Sequence, residues 1–201
     1  PQENRIGLTP ESVKTLVGEG HEVLVENNGG FEAGSPSPFW SESSLNFGTV
    51  LCNDGCGTGG GTGPANGNWW AWFGGVSGIY ETGLVSQTVT IPPGNTVLSF
   101  YLEMPSCDGA DDYLAVLLDG LLLYIIDGTS PLCGQVGYTL QTISIAGFDD
   151  GGDHTLLIGS ETFSTNGGIS SFFVDDVVIG PGSNCDSPTD VSWLSAIPGD
   201  G

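Results

Sequence analysis

Apolar and polar positions alternate with period two along most of the chain beyond Asn28. The clearest run puts Val85, Gln87, Val89 and Ile91 on one face and Ser86, Thr88 and Thr90 on the other. Successive side chains of a strand point to opposite faces, so this pattern predicts a strand with one face in a core. The same texture predicts strands at 40–44, 48–51, 69–73, 84–91, 97–103, 113–118, 121–126, 138–145, 154–160 and 171–179. Asp119-Gly120 interrupts the most apolar stretch, Tyr113 to Ile126, and reads as a hairpin turn, which also removes that stretch as a membrane span. Gly57 to Gly67 (GTGGGTGPANG) shows no alternation and reads as a loop. Short strands at this spacing with no helix between them predict an all-β antiparallel sandwich or barrel.

The two ends of the chain break the pattern. Thr9-Pro10-Glu11 has the chemistry of a helix start, with Thr as N-cap and Pro in the first turn. Val13, Leu16 and Val17 follow at helical spacing, Gly18 and Gly20 end the helix, and 21–26 (HEVLVE) reads as a strand. Residues 1–27 are therefore expected as a separate helix-strand extension, and 28–180 as the main domain. Gly180-Pro181-Gly182-Ser183 reads as a linker, so 181–201 is expected to be linker plus the opening of a following module.

Charge narrows the range of partners. The chain has 24 acidic residues against 2 basic ones, Arg5 and Lys14. Five of the acids, Glu3, Glu11, Glu19, Glu22 and Glu26, precede Asn27, leaving 19 from there to Gly201 with no Lys or Arg. Such a field repels phosphate backbones and anionic surfaces, so nucleic acid and membrane insertion are not expected. With 38% apolar residues the chain is too hydrophobic for a disordered acidic segment.

Five cysteines add a redox argument. Cys52 and Cys56 flank an Asn53-Asp54-Gly55 turn, and Cys107 and Cys133 flank a predicted hairpin. Pairing them so leaves Cys185 over and implies an oxidising compartment, so the protein is expected to be secreted. No C-x-x-C occurs and His21 and His154 lie far from the cysteines, which argues against zinc.

Two resemblances follow from particular residues. Gln2 to Pro10, with Val13 and Gly20 to Glu26, resembles the N-terminal region of alanine dehydrogenases and the related transhydrogenase subunit, up to about Gly34. In that family the residue matching Arg5 helps bind the substrate carboxylate. No G-x-G-x-x-G turn lies between a strand and a helix in this chain, and the family's downstream lysine and histidine have no counterpart, so an oxidoreductase is not expected. The second resemblance covers about 28–180. Asn28-Gly29-Gly30-Phe31-Glu32 with Trp40, the runs 85–91 and 98–102, and the closing Phe172-Phe173-Val174-Asp175-Asp176-Val177-Val178-Ile179 look like jelly-roll carbohydrate-binding modules and MAM-type adhesion domains. It implies a galactose-binding-like jelly roll that serves as a non-catalytic extracellular module. Such a module binds polysaccharide or glycan within a larger secreted protein, beside neighbouring modules. An adhesion or assembly domain is the alternative.

Two candidate sites follow. If first and last strands lie side by side, Glu32 meets Asp175 or Asp176. With no basic side chain to neutralise them, these carboxylates call for a cation, and calcium suits oxygen ligands. The resemblance implies the same ion. The aromatic run Trp69-Trp70-Ala71-Trp72-Phe73 splits by period two into a core face (Trp69, Ala71, Phe73) and a second face (Trp70, Trp72). With Tyr80, that second face is the expected platform for sugar rings. The competing reading buries both faces, or covers the second with the glycine-rich loop. Catalytic signatures are absent: no G-x-S-x-G serine and no H-E-x-x-H. His154 and the acidic turns at 111–112 and 149–153 are read as turn chemistry.

Overall fold

The alternating runs become ten strands in two antiparallel sheets. The computed structural model describes residues 30–163, 165 and 167–181. The strands are β1 (Ser41–Ser44), β2 (Leu51–Cys52), β3 (Trp70–Gly74), β4 (Glu81–Thr90), β5 (Val97–Ser106), β6 (Tyr113–Leu118), β7 (Leu121–Asp127), β8 (Gln135–Ser144), β9 (Asp153–Thr162) and β10 (Ser171–Gly180). One sheet has the order β1-β4-β9-β6-β7 and the other β2-β3-β10-β5-β8. The architecture is the two-layer antiparallel sandwich that the period-two pattern predicts.

Each alternating run delivers one face to the space between the sheets. Val85 and Ile91 of the 85–91 run are fully buried, with Val89 packed beside them. Leu114, Val116 and Leu118 from β6 meet Leu156 and Ile158 from β9, and Leu98, Phe100 and Leu102 from β5 meet Phe172 and Val174 from β10. Trp40 is buried, tilted against Phe31 at 5.3 Å. Asp119 and Gly120 both take positive φ, 51° and 78°, and turn β6 into β7 as a tight hairpin.

Both disulfides have the expected partners, Cys52–Cys56 and Cys107–Cys133. The first closes the short 3-10 turn Asp54–Cys56, which Asn53 caps by accepting from Gly55 N. The second ties the β5–β6 connection to the β7–β8 connection. Cys185, the helix-strand extension at 1–27 and the segment 182–201 lie outside the described residues.

One topological expectation is corrected. The first and last strands do not lie side by side: β1 pairs with β4 in one sheet, and β10 lies between β3 and β5 in the other. Glu32 precedes β1, so it reaches the last strand's surroundings only through a loop between them.

Candidate functional site

The glycine-rich segment 57–69 is a cover closed over the outer face of β3 and β10. Trp70 packs against Phe173 at 5.9 Å and Trp72 against Phe173 at 5.1 Å. The loop lies flat on these rings. A Cβ at Gly59 would stand 2.5 Å from Trp72, and one at Gly61 would stand 2.5 Å from Phe173. Only residues without a side chain can approach the aromatics so closely, which is the physical reason for the low-complexity sequence.

Carboxylates fasten the cover along its length. Glu103, buried on β5, accepts from Thr62 N, Thr62 Oγ1 and Gly137 N. Tyr138 donates its hydroxyl to Gly63 O at 2.6 Å. Asp175 Oδ2 accepts from Ala65 N at 2.8 Å and Asn66 N at 3.2 Å. Glu32 accepts from Asn68 N and Trp69 N. Burial, reinforced by the Asp175 and Glu103 charges, raises the Tyr138 phenol well above its ordinary range. Burial also pushes the Asp175 carboxyl up to about 6, against the opposing pull of the Asn66, Asp176 and Ala65 amides.

Glu32 and Asp175 thus converge on neighbouring loop amides and not directly through adjacent strands. Asp176 sits at a bulge between Asp175 and Val178 with φ 49°, and its carboxylate accepts from Asn66 Nδ2. The amide donors do part of the work that a cation was expected to do. Among the described residues, no three of His, Cys, Asp and Glu form a metal-ligating group.

The expected aromatic platform divides. Ala71 and Phe73 enter the core, as period two requires. Trp70, expected as a ligand-binding residue, has no exposed surface, so in this arrangement it cannot stack on a sugar. The correction has a plain cause: the glycine-rich loop covers it. Trp72 is half-buried and donates Nε1–H to Ser171 Oγ at 3.3 Å. Its ring forms one wall of a cavity of about 550 Å³ with Gly59, Ser106, Ile169 and Ser171.

That cavity opens at one end of the sandwich, where the β3–β4, β5–β6, β7–β8 and β9–β10 connections meet. Ile79, Tyr80, Phe163 and Ile169 are all at least 39% exposed here. The β4–β9 ladder ends with Glu81 opposite Thr162, so the next residues outward, Tyr80 and Phe163, come together with their rings 5.1 Å apart. Glu161 lies close to the phenols of both Tyr80 and Tyr113. Partial burial first, then the Glu161 carboxylate, holds each phenol protonated above its ordinary value. Asp112 accepts from Phe163 N at 2.6 Å and so fixes the backbone that presents the ring. Exposed aromatic surface beside fixed carboxylate and hydroxyl groups is the chemistry that binds sugar rings.

Tyr80 is therefore an expected residue that the structure places in an accessible aromatic cluster. Tyr113, Glu161 and Phe163 were not singled out from the sequence. Tyr113 and Glu161 face outward by the period-two rule, opposite each other in the β6–β9 register. That signal was readable only once the pairing was known.

Comparison with known proteins agrees on the fold. A family model described as the alanine dehydrogenase/PNT N-terminal domain matches residues 1–43. Of these, 30–43 belong to the sandwich, where they supply Phe31, Trp40 and the start of β1. No curated protein matches the chain. Among solved structures, TmCBM61 in complex with β-1,4-galactotriose is similar, with a TM-score of 0.54 at 16% identity, over 80% of this chain and 100% of that one. CBM28, a carbohydrate-binding module specific for non-crystalline cellulose, gives 0.45 at 12% identity, over 80% and 97%. The K1 cleaved adhesin domain of Lys-gingipain from Porphyromonas gingivalis gives 0.46 at 14% identity, over 76% and 96%. The chain has the two-sheet fold seen in carbohydrate-binding modules.

Proposed function

We propose that this protein is a non-catalytic glycan-binding module of the extracellular space, working within a larger secreted protein. The observation that carries the reading is the exposed Tyr80–Phe163 pair beside the Glu161 carboxylate, at the same end of the sandwich as the Trp72 cavity but on the other sheet. Two disulfides and an all-acidic, folded domain support the extracellular setting. The similarity to TmCBM61, a galactotriose-bound module, makes β-galactans the first polysaccharides to try. Affinity electrophoresis through gels containing β-galactan, cellulose or xylan tests this. Retardation by at least one polysaccharide, weakened by Tyr80→Ala, is expected. A stacking ring contributes about 0.5–1.5 kcal/mol, so the variant loses several-fold in affinity with little change in stability. Unretarded migration in every gel contradicts the reading.

Calcium belongs to the same proposal. Glu32 and Asp175 would hold the ion, and the remaining ligands would come from backbone carbonyls, since Asp176 is turned to Asn66. The donor set fits: Asp175 is 1% exposed, its Oδ1 meets one N–H, that of Asp176, and no Lys or Arg occurs among the described residues. The ion would pin the glycine-rich cover to both carboxylates and carry no chemistry of its own. Thermal unfolding with calcium and then with chelator decides it. Saturation a hundredfold above Kd adds about 2.7 kcal/mol, and Asp175→Asn removes that gain. An unfolding midpoint indifferent to chelator rejects the ion.

A further inference from the structure

The two sides of the sandwich end in different ways. On one side the edge strands are β1 and β2, of 4 and 2 residues, too short to offer a ladder. On the other side the edges are β7 and β8, of 7 and 10 residues. They lie against each other: Tyr124 of β7 packs edge-on to Phe100 of β5 and bonds to Gln141 of β8 at 3.1 Å. Leu121, Leu122, Ile125, Val136 and Leu140 on this side are each more than half exposed. β7 reads Leu-Leu-Leu-Tyr-Ile-Ile-Asp, with no proline and no lysine, and among the described residues only its inner edge is paired, to β6. Soluble proteins ordinarily blunt such an edge with charge, proline, bulges or short length; Leu121–Ile126 has no charge and no proline, and its one irregularity is a bulge at Leu123 that leaves Leu122 and Ile125 on the same outward face.

We propose that the outer edge of β7 is a strand-addition site for an extended protein segment with an apolar centre and Lys or Arg at its ends. The unsatisfied ladder of β7 supplies main-chain pairing, and Leu122 and Ile125 supply apolar contact on the outward face. Charge selects the occupant. Asp119 lies just before β7 and Asp127 ends it. A second copy docked antiparallel would bring its Asp127 beside Asp119, and docked parallel would set Asp127 against Asp127. Either register juxtaposes acidic ends in a domain that has no Lys or Arg among the described residues, His154 being held between Asp119 and Asp150. A strand with basic ends meets carboxylates at both ends of β7.

The test uses the whole chain and two synthetic peptides of alternating valine and threonine, one flanked by lysines and the other by glutamates. Fluorescence anisotropy should show binding of the lysine-flanked peptide, weakened by about tenfold or more in Ile125→Lys, with the glutamate-flanked peptide failing to bind. Ile125 is exposed, so the variant keeps the fold, as its unfolding midpoint will show. Equal binding of both peptides overturns the proposal, as does binding that Ile125→Lys leaves unchanged. A dimer in sedimentation that Ile125→Lys dissolves makes the occupant a second copy and overturns it too. Absence of binding with β7 amides protected from hydrogen exchange assigns the edge to the chain's own terminal segments, which also overturns it.

Discussion

Trp70 and Trp72 leave the same strand on the same face, yet one is sealed and the other borders open space. Trp70 lies beneath the middle of the glycine-rich cover, with Gly63 above it and Phe173 beside it. Trp72 lies where the cover ends, and its ring walls a cavity at the loop end. Residue type and strand parity are equal for the two, so neither decides which residue meets solvent. The loop decides, and the loop is held by Glu32, Glu103 and Asp175. The covered region is thus a second, satellite core on the outside of a sheet, and the open end is a surface available to a ligand.

The largest expected effect separates these regions. Trp70→Ala removes a fully buried indole and should cost about 3–5 kcal/mol of stability, measured by denaturant unfolding. Any retained folded fraction should still migrate with the polysaccharide affinity of the wild type. A cost below about 1 kcal/mol would mean that the cover does not pack on Trp70, and the contrast with Trp72 would dissolve.

Gly61→Ala sharpens the same point from the other side. Its Cβ would stand 2.5 Å from Phe173, so the cover must lift or the ring must shift. Overpacking of this kind costs about 1–3 kcal/mol. Hydrogen exchange at Thr62 and Ala65 should rise with it, since their N–H groups bond to Glu103 and Asp175. Unchanged exchange would show that the cover is not held as described.

The smallest effect concerns the opposite end of the sandwich and serves as a control. There His154 bonds through Nδ1 to Asp119 and through Nε2 to Asp150, at 2.8 and 3.1 Å. The bond to Asp119, then that to Asp150, raises the His154 pKa above its ordinary 6.5. The amide of Thr155 and then His154 lower Asp119, and the amide of Gly152 and then His154 lower Asp150, below the ordinary 3.8. The imidazolium contribution is whole below 6.5 and is lost as pH rises through the raised value. The carboxylate contributions are whole above 3.8 and are lost as pH falls. Stability from this trio should therefore be greatest between those limits, and His154→Gln should flatten the alkaline side of the unfolding profile without altering glycan binding. A profile identical in the variant would deny the ion pairs a role.

The sequence reading succeeded where local pattern governs structure. Alternation placed nine of the ten strands and met β2 at Leu51 alone, and the ends of β4, β5, β8 and β9 run two or three residues further because ladder pairing extends past the apolar run. Both disulfides close local or hairpin-related loops and were legible for that reason. Topology was not legible: nothing in the residues of β1 or β10 says which sheet each joins. The cover was equally hidden, because a glycine-rich stretch has no side-chain pattern to betray what it lies on. At the open end, Tyr80 stood out as an aromatic residue, but its neighbour Phe163 depends on the pairing of β4 with β9, more than seventy residues apart in the chain.

The account's central claim is that sugar meets the loop end and not the covered face. The indole N–H resonances of the tryptophans report on both regions at once. During titration with an oligosaccharide of whichever polysaccharide retards the protein, the Trp72 indole signal should shift together with the amides of Tyr80 and Phe163. The Trp70 indole should stay in place. Shifts centred on Trp70 and the cover, with Trp72, Tyr80 and Phe163 unmoved, would contradict the account.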